Sequence, residues 1–190
     1  MGGREASAPK LPRAQRREQI LAAATPIFAR AGHAGTSLDD IADAAGISRM
    51  IIYRHFDSKA DLYRAAMRRA ADHLAGAVGD ELTDTAVHAL VNWASTEPAA
   101  FRLLFHQAAR EPEFRQEIAE LRAEMAEAVH RSVAEVITDP AWATWAAQLS
   151  LTVAIEGVMT WLDIGRPDPS EAALRIDRAV KAVLRSVHGH

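Results

Sequence analysis

Between residues 112 and 137 apolar side chains recur every three or four positions, the spacing of one face of an α-helix. This face consists of Phe114, Ile118, Leu121, Met125, Val129, Val133 and Val136. The opposite side carries Glu117, Glu120, Glu124 and Glu127, as expected for a helix with one buried face. Elsewhere the chain has no alternating β-branched runs and no Asn-Gly hairpin signal, so its sequence predicts an all-α fold.

Prolines mark the starts of further helices, because the first turn of a helix needs no backbone N–H donor. The prolines at such positions are Pro98, Pro112, Pro140 and Pro169. Asp139 and Asp168 precede two of them as predicted N-caps. The predicted later helices span 84–95, 98–109, 112–137, 140–165 and 169–187. The one from 140 is apolar nearly all round and is expected to be buried on more than one face.

Composition excludes several classes of site. The chain has 190 residues and no cysteine, which excludes disulfides and thiolate metal sites. Residues 1–17 lack the apolar core of a secretion signal, and no uncharged run could cross a bilayer, so we expect a cytoplasmic protein without membrane partners. Because the sequence has no HExxH, phosphate-loop, GxGxxG or nucleophile-elbow pattern, we expect no metal, no cofactor and no enzymatic activity.

Charge is distributed unevenly along the chain. Residues 1–70 hold twelve Lys and Arg against seven Asp and Glu, a net charge of +5, whereas residues 71–190 hold ten against eighteen, a net charge of -8. A basic front part favours a polyanionic partner, although ordinary scatter of solvated charge is the alternative. Residues 1–12 contain two glycines and two prolines and are predicted to form a flexible basic arm.

The front part is predicted to form four helices. The first has Ile20, Ala24, Phe28 and Ala31 on one face, a kink at Pro26 and a C-terminal cap at Gly32. The second opens with a capping box, Ser37 with Asp40, and runs to Ala45. Gly46 then breaks the helix, Ser48 caps a short third helix through about Phe56, and Ser58 starts a fourth.

Two short helices joined by a turn at Gly46 are typical of a helix-turn-helix, whose second helix enters the major groove of DNA. Ile47 and Ile52 would hold this helix on the one before it. Arg49 and Arg54 suit guanine edges or phosphates, and Met50 suits a thymine methyl. Hydroxyls and an ammonium suited to phosphate oxygens come from Thr36, Ser48, Tyr53 and Lys59. The alternative is a small helical subdomain with surface arginines.

The landmarks from Arg17 to Leu62 resemble the N-terminal domain of the TetR family of transcriptional regulators. They are Arg17-Glu18, Ile20-Leu21, Ala23-Ala24, Phe28, Gly32, Gly35-Thr36-Ser37, Ile41-Ala42, Ala45-Gly46-Ile47-Ser48, Tyr53-Arg54-His55-Phe56, Ser58-Lys59 and Leu62. This resemblance implies a DNA-binding domain at 13–57 and a helical effector-binding and dimerisation domain at 58–190. It also implies backbone contacts to DNA from Thr36, Ser37, Ser48, Tyr53, His55 and Lys59. Base contacts would come from Arg49, Met50 and Arg54. The chain departs from the family at Met50-Ile51, where many members have a small hydroxylated pair, and at Pro26.

The resemblance further implies a four-helix dimer interface built from the last two long helices of each subunit. The candidate interface residues are Gly157, Trp161, Ile176, Val180, Val183, Leu184 and Val187. Burial of these residues inside one subunit is the alternative. An apolar effector pocket has candidate linings in Trp93, Phe101, Phe105, Met125, Trp145 and Met159, with polar anchors Asn92, His106, His130 and Gln148. Plain core packing is the alternative for each of them.

These features predict a ligand-responsive repressor that binds a palindromic operator as a homodimer and is released by a small hydrophobic effector. One alternative is an activator or a regulator without an effector. Another is an enzyme or binding protein in which the helix-turn-helix serves only for packing.

Overall fold

A computed structural model describes residues 11–79 and 85–187 of the chain. Most of the predicted arm at 1–12 and the predicted helix start at 84 lie outside these residues. In the described part the helices are α1 Arg13–Ala31, α2 Leu38–Ala45, α3 Arg49–Tyr53, α4 Lys59–Val78, α5 Ala86–Thr96, α6 Pro98–Arg102, α7 Arg115–Val133, α8 Pro140–Asp163 and α9 Pro169–Val187. The all-α prediction is confirmed, and none of these helices is both long and apolar enough to cross a membrane.

Helix starts follow the predicted capping chemistry. The Asp139 carboxylate accepts hydrogen bonds from the N–H groups of Ala141 and Trp142 at the start of α8. The Asp168 carboxylate does the same for the N–H groups of Ser170 and Glu171 at the start of α9. These carboxylates satisfy donors that have no partner within the helix, so both N-cap predictions are confirmed.

The structure differs from the predicted helix at 98–109. After α6 the chain continues as a π-helical turn at Leu103–Gln107 and a 3-10 turn at Ala108–Arg110. The wider π turn allows three consecutive apolar side chains, Leu103, Leu104 and Phe105, to be buried together. A regular α-helix would place them around about 200° of its circumference, because it turns about 100° per residue.

The prediction of a helix at 112–137 is corrected at both ends. The helix predicted at 112–137 begins with a 3-10 turn at Pro112–Phe114 and ends at Val133. The turn after it exposes Val136 and buries Ile137 in its place. Pro26 lies inside α1, which is continuous from Arg13 to Ala31, and the kink expected there stays a prediction.

One hydrophobic core connects the front and rear helices. It runs from Ile20 in α1 through Leu62 in α4 and Phe101 in α6 to Ile176 in α9. Helix α4 belongs to both parts, because its first turn lies beside α1 and α2 while its last turns pack against α5. With 20 residues, α4 extends about 30 Å and physically connects the two ends of the molecule.

Candidate nucleic-acid interface and ligand cavity

The turn between α2 and α3 is set by Gly46. This residue has φ +64°, a left-handed conformation that favours glycine. Its N–H donates to the carbonyl of Asp43, and the N–H of Ile47 donates to the carbonyl of Ala42 at 3.0 Å. This pattern is a Schellman motif, which ends α2 and directs the chain into α3.

The start of α2 is held by the predicted capping box. The Ser37 hydroxyl accepts from the N–H of Asp40 at 3.1 Å, while the Asp40 carboxylate accepts from the N–H and hydroxyl of Ser37. These hydrogen bonds from Ser37 lower the pKa of Asp40. The box fixes the orientation of α2 and therefore the position of α3, which packs on it through Ile52.

The outer face of α3 combines cations, hydroxyls and one apolar side chain. Met50 is 67% exposed and Tyr53 is 47% exposed. Arg49 lies between two partners, since its guanidinium donates to the Tyr53 hydroxyl at 3.1 Å and pairs with Asp39 at 3.3 Å. Ser48 is exposed and its side chain makes no capping hydrogen bond, so its hydroxyl is available to a partner.

The inner face of α3 is apolar, as predicted. Ile52 is 1% exposed, and Ile47 is half-buried against the same core. The sequence does not indicate which face of α3 Ile51 occupies, and in the structure its side chain is half-buried as well. Arg54 ends the helix and is exposed, and its side chain makes no hydrogen bond or ion pair with the part of the chain that the structure describes. Its guanidinium is therefore free to bind an anion or a base edge.

Lys59 and Thr36 lie together beside this face. The Lys59 ammonium donates to the backbone carbonyl of Thr36 at 2.8 Å, which joins the start of α4 to the start of α2. The Thr36 hydroxyl is buried and donates to the carbonyl of Gly32 at 2.7 Å. The prediction that this hydroxyl contacts a phosphate is therefore corrected, because it faces the interior. Ser37 next to it remains exposed.

A second basic group lies at the start of α1. Arg13, Arg16 and Arg17 are close enough to His55 to lower its pKa, after the larger effect of burial. The Arg17 guanidinium also lies 4.9 Å from the centre of the Phe56 ring. Sequence reasoning did not name these arginines as candidates, although the run Arg13 to Arg17 was a visible signal. They extend the cationic surface beyond α3.

A cavity of about 460 Å³ lies between α4, α5, α7, α8 and α9. Much of its wall is small or aliphatic, and Glu124, Asp177 and Lys181 are the charged residues that line it. Lys181 forms an ion pair with Asp177 at 2.9 Å. The size and apolar lining match those of sites that hold small organic ligands.

The structure brings one of the ten predicted ligand residues, Met125, into the wall of this cavity. Three of the others, Trp93, Phe101 and Phe105, are packed against one another in the core. Asn92, Trp145 and Gln148 are exposed, and His106, His130 and Met159 are half-buried away from the cavity. These nine residues do not line this cavity, and the rings of Trp93, Phe101 and Phe105 fill space rather than border an empty volume.

Of the seven predicted interface residues, all but Val183 pack against the interior of their own subunit. A side chain at Gly157 would meet Ile176 at 3.1 Å, so this glycine allows close packing within one subunit. Trp161 is buried, and its indole N–H donates to the carbonyl of Pro167. Val180 and Leu184 line the cavity, while Val183 and Val187 are half-buried. The outer side of α8 instead exposes Trp142 and Trp145.

Comparison with known proteins shows which family the helix-turn-helix segment is similar to. Residues 20–66 match the model of bacterial regulatory proteins of the tetR family. The transcriptional activator FasR of Mycolicibacterium smegmatis is 36% identical over 105 residues, 50% of this chain and 48% of that protein. The repressor KstR2 of the same organism is 34% identical over 97 residues, 51% of this chain and 47% of that protein. The match thus spans about half the length of these curated relatives.

Solved structures match the fold over nearly the whole chain. A TetR-like transcriptional regulator from Rhodococcus sp. RHA1 superposes with a TM-score of 0.79, covering 95% of this chain and all of that one at 22% identity. A transcriptional regulator from Aquifex aeolicus gives a TM-score of 0.75 over 88% of this chain and 99% of that one, at 16% identity. At these sequence identities the structural similarity establishes the fold of the rear helices, but it does not identify a ligand for them.

Proposed function

We propose that the chain is a transcriptional regulator of the TetR type, a ligand-responsive repressor acting as a homodimer on a palindromic operator, because residues 20–66 match the model of tetR-family regulatory proteins. The exposed face of α3 is the observation that carries the DNA-binding part. It presents Arg49, Met50, Tyr53 and Arg54 on a helix whose opposite side is held in the core. Arginines read guanine edges and the hydroxyls bind phosphates, so each exposed group has a partner in the major groove.

The homodimer is supported by the outer side of α8. Residues at steps of three and four along this side are Trp142, Trp145, Leu149, Val153, Glu156 and Thr160, followed by Ile164 just past the end of the helix. The two tryptophans and Ile164 are exposed, which is unusual for such large apolar side chains. The spacing suits the packing of α8 against another helix, and a twofold partner would supply one. Two recognition helices would then lie about one turn of DNA apart, as a palindrome requires.

The effector response is supported by the path of α4. Its first residue, Lys59, bonds to Thr36 beside α2, while Ala71, Leu74, Ala75 and Val78 near its end line the cavity. A ligand that fills the cavity and displaces these residues would move the start of the same helix. A ligand that releases DNA must bind more tightly to the conformation that fits DNA poorly than to the conformation that fits DNA well. By the same coupling, bound DNA weakens the binding of the ligand.

Activation is the second candidate, because FasR, one of the relatives with a matching front half, is an activator by name. A reporter under the chain's own operator separates the two roles. Deletion of the regulator raises expression if it represses and lowers expression if it activates.

Selection of bound fragments from the source genome tests the proposal as a whole. We expect enriched fragments to share an inverted repeat whose half-sites are about one or more helical turns apart. The Arg54→Ala variant should recover far fewer of them. Uniform recovery of all fragments, with no shared repeat, would contradict sequence-specific regulation.

A further inference from the structure

The cavity has a deep end and a rim. Leu90, Leu151 and Ser150 are buried and form the deep end, whereas Glu124 and Ser132 are exposed and belong to the rim. A ligand entering from the rim would therefore pass a polar edge before its apolar part is enclosed. The deep end contains one polar side chain whose hydrogen-bonding state is unusual.

That side chain is Ser150. It is 3% exposed, and its hydroxyl has no hydrogen-bond partner among the described residues. Serine and threonine on helices commonly donate to the carbonyl four residues earlier. Thr144 and Thr152 on the same helix do so, at 2.8 and 2.9 Å. Burying a hydroxyl without a hydrogen-bond partner is unfavourable, so the Ser150 hydroxyl is available to form a hydrogen bond with a molecule in the cavity.

The charges around the cavity add a second restriction. Its lining has two carboxylates, Glu124 and Asp177, and one ammonium, Lys181. The ammonium is paired with Asp177, whose side chain is only 14% exposed. The part of the lining that the structure describes therefore has a net negative charge, which disfavours a ligand carrying a carboxylate or phosphate and favours an amine.

We propose that the effector is an apolar amphiphile without negative charge, and preferentially an amine, which hydrogen-bonds to Ser150. This inference rests on the proposed effector site and names the chemical class that the site accepts. The apolar body occupies the volume bordered by Leu74, Leu90 and Val180. Ser150 selects for a hydrogen-bonding group within that body, and Glu124 selects for the charge at the rim.

Three probes of equal chain length test the class: decylamine, decanol and decanoate, each kept below the concentration at which it aggregates. At pH 7 they are cationic, neutral and anionic. Isothermal titration calorimetry with the full chain should give the order decylamine, decanol, decanoate from tightest to weakest. At low salt we expect decylamine to bind about tenfold more tightly than decanoate, with the ratio falling in high salt.

Two variants assign the selectivity to named residues. Decanol has one uncharged hydroxyl, which we expect to enter the deep end and bond to Ser150. Ser150→Ala should therefore weaken binding of decanol roughly fivefold, which corresponds to the loss of one neutral hydrogen bond. Glu124→Gln should reduce the preference for decylamine over decanol. The matched control is Glu127→Gln, one turn away on α7, because Glu127 is exposed and does not line the cavity. This control should keep the full preference.

The same variants separate a ligand-binding role from a structural one. Because the Ser150 hydroxyl has no partner among the described residues, Ser150→Ala should unfold at the same temperature as the wild type or a higher one. A lower unfolding temperature would overturn the proposal, as would unchanged affinity of this variant for all three probes. Equal or tighter binding of decanoate would overturn the chemical class but leave an apolar effector site intact. Failure of all three to bind a chain that still binds its operator would overturn the effector site as well.

Discussion

The rings of Tyr63 and Phe114 stack with their centres 4.3 Å apart. Tyr63 lies on α4 and Phe114 lies just before α7, so the pair joins the helices of the front part to those around the cavity. His33 packs its edge on both rings, and the Arg64 guanidinium lies 5.0 Å from the centre of Phe114. Arg64 also pairs with Glu117 at 2.9 Å. In the proposed effector response, this junction is one path by which displacement of the rear helices would reach α1 to α3.

Removing the ring at this junction should destabilise the fold. Phe114 is fully buried, so Phe114→Ala should lower the free energy of unfolding by about 3–5 kcal/mol, measured by chemical denaturation. The Tyr63 hydroxyl is buried and has no hydrogen-bond partner in residues 11–79 and 85–187, and burial raises the pKa of this phenol. Tyr63→Phe should therefore leave the stability unchanged or raise it. A large loss for Tyr63→Phe would show that the hydroxyl has a partner.

Stability should depend on pH through His33. Burial, followed by the charge of Lys59, lowers the pKa of His33, although Glu113 and Glu111 act in the opposite direction. The folded state therefore binds this proton less readily than the unfolded chain does. The contribution of His33 is present above about pH 6.5 and is lost as the pH falls toward its lowered folded value. Denaturation between pH 7.5 and about 5 should show a weaker dependence for His33→Gln. An identical dependence would contradict this assignment.

The two glycines Gly46 and Gly76 should respond oppositely to alanine. A side chain at either position would meet nothing within 4 Å, but only Gly46 has a left-handed φ. Gly46→Ala should cost about 1 kcal/mol of stability, because it forces that conformation on a residue with a Cβ. Gly76 lies inside α4, so Gly76→Ala should stabilise by about 0.5–1 kcal/mol. Equal effects of both substitutions on unfolding would contradict the Schellman turn.

The outer side of α8 should control the assembly state. Trp145→Glu places a charge in the proposed interface and should convert a dimer to a monomer in analytical ultracentrifugation. The control, Gln148→Glu, introduces the same charge at an exposed position outside the apolar row of α8. This control should remain dimeric. A wild-type chain that sediments as a monomer at all concentrations would refute the proposed homodimer.

The front helices could be predicted because their signals are local. The Ser37 and Asp40 capping box involves residues three apart, and the turn at Gly46 depends on a conformation that one residue type favours. The same turn predicts that Ile52 faces inward, because α3 has only five residues and follows the turn directly. The Thr36 hydroxyl escaped prediction because its acceptor, the carbonyl of Gly32, belongs to the end of the previous helix.

The cavity could not be predicted from its residues. A void forms where side chains are small, as at Ala71, Ala128 and Ala154, whereas Trp93 and Phe101 fill the space they border. Which side of a helix faces a void depends on how five helices pack. The sequence of α9 likewise has the same apolar spacing whether these side chains pack inside their own subunit or against a partner subunit. Only the structure shows that Ile176 packs inside, against Gly157.

Binding of the selected operator fragment, followed by fluorescence anisotropy at two salt concentrations, tests the central claim most directly. Arg54→Ala and Tyr53→Ala should each weaken binding about tenfold, and Arg54→Ala should reduce the salt dependence by about one ion if Arg54 contacts a phosphate. The control Arg131→Ala removes an exposed arginine from α7 and should bind as the wild type does. Equal affinity of the wild type and both α3 variants, or no salt-sensitive binding at all, would contradict DNA recognition by this helix.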